Sequence, residues 1–159
     1  MAFSIVNYFI SRIFSRIGKI IEATKGGAIR YTQCSEQTTF EGTQVLILDT
    51  VGILSSVYGY ALWSYIGGGF GVGIHNTLEA ATFALPIAFG PNYKKFKEAR
   101  DMVALGAATK VESAEELTAW FAPLRDDADY LAKVSATAKD YTVKNQGATA
   151  LFMKIAFGE

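Results

Sequence analysis

Residues 61–91 read ALWSYIGGGFGVGIHNTLEAATFALPIAFGP, and the fold turns on how they are read. The apolar run at 62–66 has the length of a buried strand. Five of the fifteen glycines then fall inside Gly67 to Gly73. Such a backbone makes a tight turn or approaches a ligand closely. Asn76 follows as a helix cap, with Glu79 at the capping-box spacing, and Pro86 stops that helix. Residues 87–89 form the next strand, and Gly90-Pro91 turns the chain. Strand, glycine loop, helix and strand in this order describe one unit of a parallel sheet.

The same alternation extends outward. Residues 28–33 and 45–48 are strand candidates, the second ending in Asp49, with a short helix at 51–60. After Pro91, Asn92 is expected to cap a helix over 93–105 that Gly106 ends. Residues 107–111 form a short edge strand. Ser113, with Glu116 in capping-box register, starts a further helix that Pro123 closes. Helices at 126–143 and 148–157 complete the chain. The expected architecture is α/β: a Rossmann-like parallel sheet of about five strands with helices on both faces. In such sheets ligands bind beyond the carboxyl ends of the strands, where the glycine loop and Pro91-Asn92 lie.

Residues 4–22 read as an amphipathic helix. Ile5, Val6, Phe9, Ile10, Ile13, Phe14, Ile17, Ile20 and Ile21 recur at helical spacing, among Arg12, Arg16 and Lys19. Gly26-Gly27 ends it. This divides the chain into an amphipathic helix and turn, 1–27, and a domain, 28–159. The helix either packs on the core or lies on a membrane surface or a partner. Its charges interleave the apolar run rather than precede it, unlike a signal peptide.

Composition excludes several classes. Fifteen basic and fifteen acidic residues cancel, so general nucleic-acid binding, which needs clustered positive charge, is not expected. One cysteine, Cys34, and one histidine, His75, leave no disulfide framework and no metal cage. No cofactor is expected. The uncharged stretch between Asp49 and Glu79 is long enough to span a bilayer, but its glycines, Ser55-Ser56 and His75-Asn76 fit a buried strand–turn–helix unit better.

The loop GGGFGVGIHN has neither a dinucleotide Gly-x-Gly-x-x-Gly register nor a Gly-Lys-Ser/Thr. Its amides, with the start of the Asn76 helix, offer an anion site, and His75 and Asn76 supply side-chain donors. A phosphate, a carboxylate or a sugar-nucleotide diphosphate would fit. Each residue also has a plainer role: Asn76 and Glu79 as caps, the glycines as turn-makers, Asp49 as a backbone partner, and Lys94, Lys95 and Lys97 as a solvated face. No Ser-His-Asp or Cys-His arrangement can be argued.

The segment YIGGGFGVGIHNTLEAATFALPIAFGPNYKKFKEARDMVALGAA resembles the C-terminal domain of 3-deoxy-D-manno-octulosonic acid (Kdo) transferases. The resemblance is carried by His75-Asn76-x-Leu78-Glu79, Phe89-Gly90-Pro91, Asn92-x-x-x-Phe96-x-Glu98 and Leu105-Gly106-Ala107, with VLILDTVG at 45–52, and runs from about residue 28 to 147. Thr77 departs from the proline or small apolar residue that the family usually has there. The resemblance implies a two-domain GT-B glycosyltransferase that moves Kdo from CMP-Kdo to a lipid A precursor at the cytoplasmic face of the bacterial inner membrane. It implies that Gly73, Ile74, His75, Asn76, Thr77 and Glu79 bind the phosphate and ribose region of the donor.

The family's catalytic carboxylate and most of its acceptor site lie in an N-terminal domain for which this chain has no room. A fragment or half-enzyme, inactive alone, is therefore expected, with no catalytic residue of its own. Its incomplete sheet should favour a homo-oligomer. Alternative readings are a non-enzymatic α/β binding or oligomerisation module, or a GT-B enzyme using another nucleotide sugar. The location is the inner-membrane face or the cytoplasm.

Overall fold

The computed structural model describes residues 4–7 and 13–158. The chain divides into two compact units, residues 1–60 and 61–159. The α/β class holds, and every strand pairing is parallel. The strands form two three-stranded sheets, one in each unit.

In the first unit, β1 (Ser4–Asn7) and β2 (Ala28–Arg30) flank β3 (Val45–Leu48). Ser4 to Asn7 is strand, not the first turn of a helix. Residues 8–12 lie outside the described residues, and helix α1 runs from Ile13 to Ala23. Ile5-Val6 is a β-branched pair in a run too short for periodicity to separate helix from strand, and pairing with β3 decides it. α1 packs as a core helix: Ile17 is buried against Ile47, with Ile20, Ala28 and Val45 around them. Lys19 and Glu22 face solvent. Gly26, at φ 86°, closes the helix with its N–H donating to the Ile21 carbonyl (3.2 Å). A short helix α2, Leu54–Tyr58, ends this unit.

In the second unit, β5 (Ile87–Phe89) lies between β4 (Ser64–Ile66) and β6 (Ala108–Lys110). Its three side chains are fully buried, which explains an unbroken apolar sequence with no alternation. Helix α3 (Leu78–Thr82) is shorter than the expected 76–85. Its Ala80 and Ala81 are fully buried, and such small residues let it pack closely against α6 (Ala128–Lys144). Helix α4 (Lys97–Leu105) packs on β6 through buried Ala99 and Met102. Gly106, in the left-handed region at φ 80°, ends it.

Ser113 caps α5 (Ala114–Asp126): the Glu116 N–H donates to Ser113 Oγ, and Glu116 in turn accepts from the Glu112 N–H. Pro123 sits inside α5 and does not close it. The break comes at Asp127, whose carboxylate accepts the Tyr130 N–H and caps α6. The last helix, α7, is Ala148–Phe157. Among the described residues no helix is long and apolar enough to cross a membrane.

Candidate donor site at the carboxyl edge of the second sheet

The glycine loop leaves β4 and closes on itself. The His75 N–H donates to the Gly67 carbonyl (3.1 Å), the Gly69 N–H donates to the Gly73 carbonyl (2.9 Å), and Gly68 bridges Ile74. Gly68 and Gly69 have φ of 87° and 74°, a region that side chains rarely adopt. Space demands glycine as well. A Cβ on Gly69 would lie 2.6 Å from Gly90 Cα, and one on Gly73 would lie 2.8 Å from Lys95 Cε. The loop is thus pressed against the turn that follows β5.

Two side chains from that turn fasten it. Asn92 Nδ2 donates to the Gly71 carbonyl (2.9 Å), and Lys95 Nζ donates to the Val72 carbonyl (2.7 Å). Asn92 was expected to cap α4 and Lys95 to be a solvated surface lysine. Instead α4 starts only at Lys97, and both side chains reach back more than twenty residues. The Gly90-Pro91-Asn92 turn signal was legible in sequence, but the direction of these two side chains was not.

The expected site residues take distinct positions. Gly73 has its backbone against Lys95 and Phe96. Ile74 is buried in the loop's stem, and His75 and Asn76 are exposed at the carboxyl end of β4. Asn76 Oδ1 accepts the Leu78 N–H (3.0 Å), and Asn76 Nδ2 donates to Glu79 Oε1 (3.0 Å). The 76–79 spacing therefore yields a capping pair, with Glu79 bonded to the Asn76 side chain instead of its backbone. Thr77 is buried, and its Oγ1 has no hydrogen-bond partner among the described residues. An unpaired buried hydroxyl costs about 1–3 kcal/mol.

Beside this loop, Pro91, Asn92, Tyr93 and Lys94 line a cavity of about 350 Å³ with Lys110 and Glu112, which leave β6. It opens at the carboxyl ends of β5 and β6. Tyr93 packs at a tilt of 43° against buried Phe89, with ring centroids 5.1 Å apart, and Lys110 pairs with Glu112. That ion pair holds the Lys110 ammonium above its usual range. A second, aromatic-lined groove of about 260 Å³ lies at Trp63, Tyr65, Trp120 and Phe121.

Asp49, at the end of β3 in the first unit, is occupied. It accepts from Arg30 Nε (2.7 Å), the Thr32 N–H (2.9 Å) and Thr32 Oγ1 (2.6 Å), and its side chain is 1% exposed. Burial pushes its pKa up, but the bonds from Thr32 and Arg30 outweigh this and hold it below the usual value. It is a structural anchor for the turn after β2. No metal-binding cluster occurs among the described residues.

Over 107 residues, the chain is 33% identical to a 3-deoxy-D-manno-octulosonic acid transferase of Bordetella pertussis, covering 66% of this chain and 25% of that protein. The chain resembles the Kdo transferases. The corresponding enzyme of Rickettsia felis is 32% identical over 110 residues, and that of Rickettsia bellii 40% over 72. The chain spans about a quarter of the length of the curated relatives it matches most broadly. No family model matches it. Its fold is that of the C-terminal CMP-Kdo binding domain of WaaA from Acinetobacter baumannii, with a TM-score of 0.69 at 21% identity, covering 80% of this chain and 67% of that domain.

Proposed function

We propose that this chain is the donor-binding portion of a Kdo transferase. Its ligand is CMP-Kdo, held at the carboxyl edge of the second sheet. The glycine loop and Gly73, Ile74, His75, Asn76, Thr77 and Glu79 hold the phosphate and ribose. The observation that carries the reading is the Asn76–Glu79 pair, fixed just after a loop that requires glycine at Gly68 and Gly69. That arrangement presents exposed polar groups and close backbone to a ligand. The similarity to Kdo transferases supports the choice of nucleotide sugar.

The lipid A precursor, the catalytic carboxylate and the acceptor site belong to the remaining length that the relatives have. The chain alone therefore binds donor without transferring Kdo. Action at the cytoplasmic face of the bacterial inner membrane, contact of α1 with that surface and self-association are part of the same proposal. Calorimetric titration with CMP, UDP and GDP tests the central claim. CMP should bind in preference to the other two, and His75→Ala or Glu79→Ala should weaken it without unfolding the chain. Preference for UDP or GDP points to another glycosyltransferase, and absence of all nucleotide binding points to a non-enzymatic module.

A further inference from the structure

We propose that α7 is an exchanged arm: in a two-fold dimer, α7 of each copy seats in the aromatic groove at Trp63, Tyr65, Trp120 and Phe121 of the other. The exchange does not depend on the donor reading, and it gives the self-association proposed above a surface. Every residue of α7 from Phe152 to Phe157 is exposed, on all sides of the helix axis. Phe152, Ile155 and Phe157 are between 61% and 76% exposed. At 3.6 residues per turn, Phe152, Met153, Ile155, Ala156 and Phe157 share one broad apolar arc, with Lys154 behind it. A ten-residue helix is marginal in water on its own. One apolar over so wide an arc is built to be covered.

The groove is a matching surface. Its walls come from the start of β4 and from α5. Trp63 meets Phe121 edge-on with ring centroids 4.6 Å apart, and Tyr65 is exposed. Its volume, about 260 Å³, is below the range of small-molecule sites and suits one or two large side chains of a helix face. Area decides for a second copy and for two contacts. The large side chains of α7 expose roughly 450 Å². With equal area from the groove walls, one contact buries at most about 900 Å², short of a specific interface, whereas two bury up to about 1,800 Å², the standard size. A reciprocal exchange supplies both contacts and closes the pair. The hinge is in place: Asn145, Gln146 and Gly147 are exposed, and Gly147 enters α7 in the left-handed region at φ 97°. A membrane is the poorer cover, because a surface-lying helix carries a strongly charged face and α7 has Lys154 as its one charge.

Light scattering over a dilution series, with tryptophan emission read on the same samples, tests the exchange. Trp63 and Trp120 are the chain's two tryptophans, and both line the groove. The whole chain should be a dimer when concentrated and should dissociate on dilution with a red shift of emission. The double variant Phe152→Glu, Ile155→Glu should weaken the dimer at least about a hundredfold and show the red-shifted emission throughout. Both residues are exposed, so the fold tolerates the charges. Tyr65→Glu should weaken the dimer from the groove side by about tenfold or more. Lys154→Glu, behind the apolar arc, should change it by less than about twofold. A monomer at every concentration, growth beyond the dimer, a dimer that survives either Glu variant of the arm or groove, one lost with Lys154→Glu, emission that does not move with dissociation, or sedimentation with anionic phospholipid vesicles in place of dimerisation, each overturn the exchange. A monomer that still binds CMP overturns the exchange alone, and a dimer that binds no CMP overturns the donor reading alone.

Discussion

Gly69 and Gly90 lie back to back, so close that a Cβ on Gly69 would sit 2.6 Å from Gly90 Cα and one on Gly90 would sit 2.8 Å from Gly69 C. Two loops after neighbouring parallel strands are thereby locked together at the edge where ligands bind. Gly69→Ala combines that overlap with a left-handed backbone at φ 74°. It should cost about 2–4 kcal/mol, adding the strain of the left-handed region to that of overpacking. Gly71 has open space around it, and Gly71→Ala should change stability by less than about 0.5 kcal/mol. Urea melts of the two variants check the contrast.

Asn92→Ala removes the donor to the Gly71 carbonyl and leaves the sheet intact. Asn92 and the Gly71 backbone are both exposed, so water can replace the bond and the loss of stability should stay near 0.5–1 kcal/mol. The local effect should be larger. Amide hydrogen exchange at residues 69–73 should accelerate by about two- to fivefold, in keeping with a local opening of that free energy. Unchanged exchange there would show that the Gly69–Gly90 contact and the Lys95 bond to Val72 suffice to set the loop.

Much of this was legible in the sequence, and the misses share a cause. Ser113 with Glu116, Gly26, Gly106 and the apolar run at 87–89 act locally, so the chain spells them out. Ser4–Asn7 was misread because its strand identity comes from pairing with Val45–Leu48, some forty residues away. Asp127 looked like a helix interior residue, yet its carboxylate competes for the Tyr130 N–H and starts a new helix. Within the site, the Asn76–Glu79 spacing announced itself. Asn92 and Lys95 did not, because their partners are backbone carbonyls that any sequence supplies.

Asp49 gives the first unit an acid-sensitive anchor. Burial raises its pKa, and the Thr32 and Arg30 bonds lower it by more, so the folded-state value lies below the usual 3.8. The ionised form is then bound more favourably in the folded chain. Its stabilisation is fully present above pH 3.8 and disappears as pH falls through the lower folded value. Asp49→Asn should melt earlier than the parent at neutral pH, and the difference should shrink as pH falls below 3.8. A gap that is constant with pH would assign the loss to shape instead of charge.

Tyr141 supplies the opposite limb. Its phenol is pushed up to about 12, first by burial and then by the hydrogen bond it donates to Asp101 Oδ2 (3.0 Å). The neutral phenol is the form that the fold favours, so its contribution is complete below the ordinary value of 10.0 and is lost as pH rises toward 12. Tyr141→Phe keeps the ring among α4 and α6 and deletes the hydroxyl. Asp101 retains Lys97 as a partner, so at neutral pH the variant should lose only about 1 kcal/mol. Above pH 10.0 the parent should lose stability more steeply than the variant, and the two curves should converge. Parallel curves from neutral pH to 11.5 would show that the phenol titrates alike in folded and unfolded chains, and the α4–α6 contact would then rest on the ring alone.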